Sequence, residues 1–158
     1  MTPTSMSVAS TLAAALLAAA LSSAPARAGE DESLDQAMSI IAGTFRALKP
    51  EELHSVLPAE SKVFVSLGPQ RDDEGYYGRE QVYFMLQKRF RGLSTRRFEI
   101  RRHPAEKPSP GGDRTRPVMC LGTWWYTHAG GADDETLVHF VLSSRNGKWS
   151  LVKIQEAR

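Results

Sequence analysis

The chain has 158 residues, with 20 Lys and Arg against 18 Asp and Glu, so its formal net charge is only +2. A chain this close to electrical balance is not a polycation, and its bulk charge names no nucleic-acid or other partner. The single cysteine, Cys120, excludes an internal disulfide and a cysteine-based zinc set. A small buried apolar residue is its expected role.

The first 28 residues have the pattern of a secretory signal peptide. An apolar run at 11–21 is followed by Ala26-Arg27-Ala28, an A-x-A cleavage site. The run is roughly half of the ~20 apolar residues that a membrane-spanning helix needs. We therefore expect cleavage after Ala28, export to the periplasm or the medium, and no remaining membrane span. Residues 29–158 then have the size of one compact domain.

Two helices are predicted at the start of this domain. Apolar residues recur at spacings of four and three, which is typical of the buried stripe of an amphipathic helix. The stripe consists of Leu34, Met38, Ile41, Phe45 and Leu48. Ser33 is its expected N-cap and Pro50 its expected end. The segment 50–58, PEELHSVLP, opens with proline and predicts a second, short helix.

The middle of the chain alternates strands and a helix. Residues 62–68, KVFVSLG, alternate as a strand does, and a polar loop, PQRDDEG, follows at 69–75. A third helix is predicted from residue 76 to Gly92, followed by a strand at 95–103. Strand alternation puts Phe98 on one face with Arg96, and Arg97 on the other face. The Pro- and Gly-rich residues 104–117 predict a loop.

Three strands are predicted after that loop, at 118–128, 136–144 and 149–155. Asn146-Gly147 between the last two is a strong hairpin signal, because a type I′ turn needs positive φ at both positions. This turn pairs Arg145 with Lys148. The resulting register sets Leu142 opposite Leu151, Phe140 opposite Lys153, Val141 opposite Val152 and His139 opposite Ile154.

The doubled tryptophan in GTWWYTH must send its two side chains to opposite faces of the strand. If the loop GGADD joins the first two of these strands, Trp124 lies opposite Phe140 and Tyr126 opposite Val138. Trp124 is then expected on the helix-covered face. Trp125 is expected on the outer face.

The order of these elements, the sequence GYYGREQV at the start of the third helix and the closing GKWSLVKI resemble the nuclear transport factor 2-like superfamily. Within it, LGT, LVHFVL and GKWSLVKI are similar to the last strands of small exported bacterial members of unknown function. The resemblance covers nearly all of the mature chain. It implies an α+β cone in which a curved, mostly antiparallel sheet carries three helices of the N-terminal half on its concave face. It also implies a pocket between helices and sheet, and frequent dimerisation through the sheet.

This resemblance does not imply one activity, because the superfamily contains isomerases, dehydratases, hydrolases and non-catalytic domains. No catalytic motif of an enzymatic member matches positions in this chain. An exported non-catalytic module is our leading hypothesis, binding a small apolar ligand in its pocket or a partner on its sheet. A cavity enzyme of the isomerase or dehydratase type and a dimerisation domain without ligand are the alternatives.

Three surfaces are candidate sites under these hypotheses. The expected pocket would be lined by Phe45, Met85, Trp124, Tyr126 and Phe140. The expected dimer face on the outer sheet would contain Trp125, Thr127, His139 and Val141. Arg97 and Arg101 belong to a cluster of basic residues at 88–102 that could meet an anionic envelope component, although a solvated basic face is the commoner case.

Other chemistry has little support in the sequence. Asp72, Asp73 and Glu74 are typical of a solvated loop rather than of a tuned acid–base pair. A lone histidine within a strand, such as His139, is more typical of an interface than of a base. The four histidines have no close ligand spacing, and no phosphate-cradling loop is present. We therefore expect no metal site, no cofactor and no nucleic-acid partner.

Overall fold

The structure is a computed structural model that describes residues 25–68, 73–104 and 117–157, with side chains from residue 33 onward. Helix α1 (Pro25–Ala47) and a 3₁₀ helix (Pro50–Ser55) precede strands β1 (Val63–Ser66) and β2 (Gly75–Tyr77). Helix α2 (Arg79–Phe90) is followed by strands β3 (Leu93–Arg102), β4 (Val118–His128), β5 (Asp133–Arg145) and β6 (Lys148–Glu156). The apolar run of the expected signal peptide and most of the two expected loops lie outside the described residues.

The six strands form one open sheet in the order β2-β1-β6-β5-β4-β3. All neighbours are antiparallel except β1 and β6, which run parallel. The predicted α+β architecture, with three helices in the N-terminal half and a mostly antiparallel sheet, is confirmed. Strands β2 and β3 are the two edges of this sheet. No helix in the described ranges is long and apolar enough to span a membrane.

The predicted apolar stripe of α1 is confirmed, and Leu34, Ile41 and Phe45 are buried. The predicted start at Ser33 is wrong, because the helical backbone begins at Pro25. Residues 26–32 contain no proline and are rich in Ala and Glu, which favour helix, so nothing stops the helix there. The short second helix is present as a 3₁₀ turn whose Leu53 is fully buried.

Strand β2 lies where the sequence predicts the first turn of a helix. Its three residues pair with β1, with Phe64 opposite Tyr76. Helix α2 starts only at Arg79, where the backbone N–H of Gly78 donates to the Gln81 side chain. A three-residue strand is too short for its alternation to stand out from a helical period, so this prediction failed.

The last hairpin turns at Asn146 and Gly147, whose φ values of 53° and 74° confirm the predicted turn. Leu142 lies opposite Leu151 as predicted. Beyond that pair the predicted register is wrong for all three remaining pairs: Phe140 lies opposite Ile154, Val141 opposite Lys153 and His139 opposite Gln155. A β-bulge between Val141 and Leu142 causes the shift, leaving Val152 as the extra residue of β6.

The β4–β5 hairpin also differs from its predicted register. Trp124 lies opposite Thr136 and Tyr126 opposite Asp134, because the strands continue to a tight loop at 129–132. The partners therefore differ by four residues from those predicted. Since four is an even number, every side chain keeps its predicted face. Trp124 is fully buried and Trp125 is half-buried.

A second bulge, between Thr95 and Arg97, moves Arg96 out of the inner face of β3. Arg96 was expected beside Phe98 on that face, and this expectation is wrong. Its guanidinium instead pairs with the exposed carboxylate of Asp133. The inner position before Phe98 belongs to Thr95, whose hydroxyl donates to the Phe45 carbonyl at 2.6 Å.

Candidate functional site

The inner face of the sheet carries an aromatic cluster where the pocket was expected. Phe45, Trp124 and Phe140 are each 0% exposed. The Phe45 ring meets Trp124 edge-on at 5.2 Å and Phe140 at 5.5 Å between centroids, and it stacks on Phe98 at 4.7 Å. Such distances are those of direct aromatic packing. These side chains fill the space between α1 and the sheet.

Gly122 makes this packing possible. A Cβ placed there would lie 2.7 Å from Phe98 and 2.9 Å from Phe140. Both distances are below ordinary van der Waals contact, so any side chain would displace one of the two rings. The glycine in GTWWYTH therefore lets two phenylalanine rings lie against the β4 backbone.

Tyr126 and Met85 lie at the border of this cluster. Tyr126 is 4% exposed, and its ring lies 4.5 Å from that of Trp124. Met85 is half-buried on α2 and lines a separate cavity of 240 Å³, together with Leu67, Asp73, Lys88 and Arg89. The structure thus brings four of the five expected pocket residues together as packed core, and places Met85 beside another space.

A buried ion pair between Arg89 and Glu156, which the sequence did not predict, lies beside Tyr126 at the inner face of the sheet. Arg89 Nε donates to Glu156 Oε1 at 2.7 Å, and the two side chains are only 16% and 7% exposed. The backbone N–H of Gly68 donates to the other carboxylate oxygen at 2.9 Å. Arg89 Nη2 also donates to the Tyr126 hydroxyl at 3.0 Å. Glu156 therefore joins α2, β6 and the end of β1.

The Arg89 guanidinium also lies over the rings of Trp124 and Tyr126, at 5.0 and 5.1 Å from their centroids. Burial by itself lowers the pKa of Arg89, but the hydrogen bond and charge of Glu156, with those of Tyr126, outweigh it and raise the pKa. The cation is thus held between a carboxylate and two aromatic faces. The arrangement leaves the Glu156 carboxylate occupied rather than open to a substrate.

The hydrogen bonds that link Glu156 and Arg89 continue through the Tyr126 hydroxyl to the surface. Burial raises the pKa of Tyr126, and its hydroxyl donates to Asp134 at 3.3 Å. The pKa of Asp134 is lowered, first by the backbone N–H of Glu135 and then by the His128 side chain, whose Nε2 lies 3.5 Å from the carboxylate. Buried charge and exposed carboxylate are connected through one tyrosine.

One half of this ion pair is marked in the sequence. Arg89 lies seven residues after Val82 and three before Gly92, so it falls on the buried side of the α2 period. A charged residue at such a position usually has a buried partner. Glu156 lies at the end of the last strand, and only the fold brings the two together.

The expected acidic loop is structural in its described part. Asp73 pairs with Lys88 at 2.9 Å, and Glu74 accepts the Ser66 hydroxyl at 3.0 Å. Asp72 lies outside the described residues. Within the described ranges, no group of three or more His, Cys, Asp or Glu side chains could hold a metal ion.

Trp125 lies on the outer face of the sheet, held from both neighbouring strands. The Arg97 guanidinium lies 5.1 Å from its ring centroid, and Arg97 also pairs with Glu99 along β3. On β5, Glu135 accepts the Trp125 indole N–H at 2.8 Å. Thr127, another expected dimer-face residue, donates to Asp133 at 2.7 Å.

The centre of the outer face is apolar and half-exposed. Leu121 lies opposite His139, and Thr123 lies opposite Leu137, which is 39% exposed. Val141 lies opposite Lys153 of β6. All four expected dimer-face residues, which are Trp125, Thr127, His139 and Val141, therefore share one face of β4 and β5.

The same face continues to the other edge of the sheet. Lys153 Nζ lies 5.1 Å from the Phe64 ring centroid, and Phe64 packs against Tyr76 at 5.4 Å. Tyr76 is 67% exposed. The outer face is the whole of this surface, and its large apolar members are Phe64, Tyr76, Met119, Leu121, Trp125, Leu137 and Val141.

The basic cluster at 88–102 is largely neutralised within the protein. Five of its cations pair with acids: Lys88 with Asp73, Arg89 with Glu156, Arg96 with Asp133, Arg97 with Glu99 and Arg102 with Asp35. Of the two expected anion-binding residues, Arg97 is engaged in this way. Arg101 is exposed and lies outside these pairs.

No protein-family model and no curated protein matches the chain. Solved structures do match it. A designed NTF2 protein is 14% identical, with a TM-score of 0.57 over 81% of this chain and 99% of its own. A DUF4783 family protein from Bacteroides uniformis is 11% identical, with a TM-score of 0.54 over 76% of this chain and 94% of its own.

A Bacillus subtilis protein whose name suggests an isomerase is 10% identical, with a TM-score of 0.56 over 82% of this chain and 86% of its own. Identities this low establish fold and no activity. Together with the helix order and the six-stranded sheet, they show that the chain has the nuclear transport factor 2-like fold.

Proposed function

We propose that the chain is an exported, non-catalytic assembly module that pairs with a second copy of itself through the outer face of its sheet. One observation carries the proposal: the inner face is filled by its own side chains, whereas the outer face keeps large apolar residues that no described element covers. The mature protein, after removal of residues 1–28, would thus use its sheet as a docking surface.

The outer face departs from what a solvated antiparallel sheet requires. Such a sheet usually alternates apolar residues toward the core with polar residues toward water. Here the outward positions of β4 and β5 include Leu121, Trp125, Leu137 and Val141. An extended apolar surface of this kind marks an interaction site more often than a solvated face does.

The charges on the outer face suit a second copy of the same surface. Positive charge on this face comes from Arg97, Arg101 and Lys153, and negative charge comes from Glu99 and Glu135. In a two-fold dimer the same patch meets itself, so a charged patch avoids repulsion only if it carries both signs. The superfamily resemblance, which implies dimerisation through the sheet, points to the same partner.

The two other hypotheses have less support. A pocket for an apolar ligand would require Phe45, Trp124 and Phe140 to separate, and they are packed ring against ring. A cavity enzyme would require a carboxylate or histidine that is free to exchange a proton with a substrate. Glu156, the buried carboxylate of the cone, is instead held by Arg89 and the Gly68 N–H.

Sedimentation equilibrium of the purified protein and two lysine variants tests the proposal. Leu137→Lys places an ammonium group at the centre of the outer face, and burying an unpaired charge costs several kcal/mol. We expect the dimer dissociation constant to rise at least about a hundredfold. Phe84→Lys changes an apolar side chain on α2 that is 66% exposed, and it should leave the dimer intact.

Circular dichroism and thermal unfolding of both variants establish that the fold is kept. A wild-type protein that stays monomeric at about 100 μM contradicts the proposal. So does a dimer that Phe84→Lys and Leu137→Lys weaken equally, because the contact would then not depend on the outer face.

A further inference from the structure

Strand β3 ends the sheet on one side, and part of its backbone faces outward. The backbone N–H of His103 donates to the Met119 carbonyl of β4 at 2.9 Å, so His103 points its backbone groups into the sheet. The Phe98 carbonyl accepts from Arg46 of α1 at 3.0 Å and points away from β4. Because these directions alternate along a strand, Ile100 also points its N–H and carbonyl outward.

Helix α1 covers only one end of this edge. Arg46 Nε and Nη2 both donate to the Phe98 carbonyl, at 3.2 and 3.0 Å. A side chain that caps an edge carbonyl is one of the ways in which proteins limit pairing at sheet edges. Next to Arg46 lies an open groove of 400 Å³ along residues 95–99. Among the described residues, no partner is present for the outward N–H and carbonyl of Ile100.

Strand β3 is rich in arginine, and of its four arginines only Arg101 lies outside the ion pairs described above. Its ten residues, LSTRRFEIRR, contain four arginines and one glutamate. Arg97, Glu99 and Arg101 share the outer face at two-residue spacing, with the glutamate between the two arginines. Phe98 and Ile100 lie on the inner face. The edge therefore combines the outward N–H and carbonyl of Ile100, which have no partner among the described residues, with alternating charge on one side and an apolar pattern on the other.

We propose that β3 takes up an extended segment of a partner protein as a seventh strand, along residues 97–101, and that acidic side chains of this segment lie opposite Arg97 and Arg101. Strand addition to a free sheet edge uses backbone hydrogen bonds for affinity and alternate side chains for specificity. Directly opposed residues of opposite charge stabilise such pairing, whereas like charges oppose it.

The register of β3 specifies the partner sequence. A residue opposite Glu99 should be basic, and the residues opposite Phe98 and Ile100 should be apolar. The pattern acidic-apolar-basic-apolar-acidic satisfies all five positions in either chain direction. This order also separates a peptide partner from an anionic surface, because a uniformly negative surface meets Glu99 unfavourably and gains nothing from the Ile100 backbone groups.

The experiment uses a synthetic peptide with this pattern and the full mature protein. The probe is N-acetyl-Val-Glu-Val-Lys-Val-Glu-Val-amide, titrated into ¹⁵N-labelled protein and followed by the backbone amide signals. The control peptide exchanges every Glu for Lys and the Lys for Glu, which places like charges opposite Arg97, Glu99 and Arg101. We expect the probe to shift the amide signals of Phe98 and Ile100, and the control peptide to leave them unchanged.

Two protein variants separate backbone pairing from charge. Ile100→Pro removes the outward N–H, and proline is tolerated at sheet edges, so binding should be lost while the fold is kept. Arg101→Ser should weaken binding about two- to fivefold, the worth of one opposed charge pair. Arg91→Ser, which removes an exposed arginine just before β3, is the matched control and should change nothing. If Ile100→Pro does not fold, a probe with methylated backbone nitrogens gives the same test on the wild-type protein.

Three results would overturn the proposal. Equal affinity for the probe and the control peptide would show that β3 does not discriminate between peptides by their charge pattern. Binding to phosphatidylglycerol vesicles that depends on Arg97 and Arg101, without any peptide binding, would assign the edge to a membrane surface. A dimer that Ile100→Pro dissociates and Leu137→Lys does not would show that β3 pairs with a second copy. None of these outcomes except the last bears on the outer-face dimer.

Discussion

The two faces of the sheet carry the same types of large aromatic residue in different surroundings. On the inner face, Trp124 is 0% exposed and packs against Phe45, Phe90 and Tyr126. On the outer face, its neighbour Trp125 is half-buried between an arginine and a glutamate. The first tryptophan is enclosed by other rings and by the buried Arg89 guanidinium, whereas the second lies partly in solvent between Arg97 and Glu135. Trp124 and Trp125, although adjacent in sequence, therefore contribute differently: the first packs in the core and the second lies on the surface.

The difference follows from what covers each face. Helix α1 excludes water from the inner face, so dispersion and the hydrophobic effect favour large rings without charge. The outer face has no such cover among the described residues, and its aromatic side chains are bordered by charges that stay hydrated. The inner face therefore determines stability, and the outer face is available for association.

Exchanging either tryptophan for serine should separate these roles, with the largest effect on the inner face. Trp124→Ser removes the ring that contacts three others and leaves a cavity, so the free energy of unfolding should fall by about 3–5 kcal/mol. Trp125→Ser loses one cation–π contact and one exposed hydrogen bond, and should cost about 1 kcal/mol or less. Urea unfolding at a protein concentration too low for dimer formation measures both, because loss of the dimer would otherwise add to the apparent effect of Trp125→Ser.

The oligomeric state should respond in the opposite order. Trp125→Ser should weaken the dimer, whereas any Trp124→Ser protein that remains folded should dimerise as the wild type does. Equal losses of stability in the two variants would contradict the division between the faces.

Breaking the buried ion pair between Arg89 and Glu156 should lower the free energy of unfolding by an amount between those for Trp124→Ser and Trp125→Ser. Arg89→Met leaves the Glu156 carboxylate buried without its cation, and the free energy of unfolding should fall by about 3 kcal/mol. Adding Glu156→Leu removes that stranded charge, so the double variant should recover most of the loss. Thermal unfolding of the wild type, the two single variants and the double variant forms a double-mutant cycle. This cycle gives the interaction free energy between Arg89 and Glu156. A double variant no more stable than Arg89→Met would show that the pair contributes by packing alone.

Sequence periodicity predicted the elements and the faces well, because both depend on local alternation. The stripe of α1 and the opposite directions of Trp124 and Trp125 follow from spacing alone, and the Asn146-Gly147 turn follows from two residue types that accept positive φ. The α+β architecture was predicted by the order of elements and by the superfamily resemblance.

Registers and long-range pairs could not be predicted in the same way. The bulges at Arg96 and Val152 each add one residue that no local pattern marks, and each changes the partners beyond it. The Arg89–Glu156 pair joins residues 67 positions apart. The filling of the expected pocket depends on how Phe45 from α1 meets the rings of β4 and β5, which only the packed structure determines.

The smallest expected effect lies at the surface end of the hydrogen-bond chain that starts at Glu156. The pKa of Asp134 is lowered by the Glu135 N–H, His128 and Tyr126. A carboxyl group whose pKa is lower in the folded than in the unfolded state stabilises the fold above its unfolded pKa of about 3.9. That contribution is lost as the pH falls through the folded pKa.

Asp134→Asn should therefore slightly lower stability at neutral pH and flatten the dependence of stability on pH below about 4. Urea unfolding between pH 2.5 and 6 measures that slope, and His128→Gln, which removes only one of the three partners, should flatten it less. A variant whose slope equals that of the wild type would show that Asp134 does not contribute to acid stability. Because Asp134 is exposed, the effect should stay well below those of Trp124 and Arg89. The loss of unfolding free energy should thus decrease from the inner face, through the Arg89–Glu156 pair, to the surface.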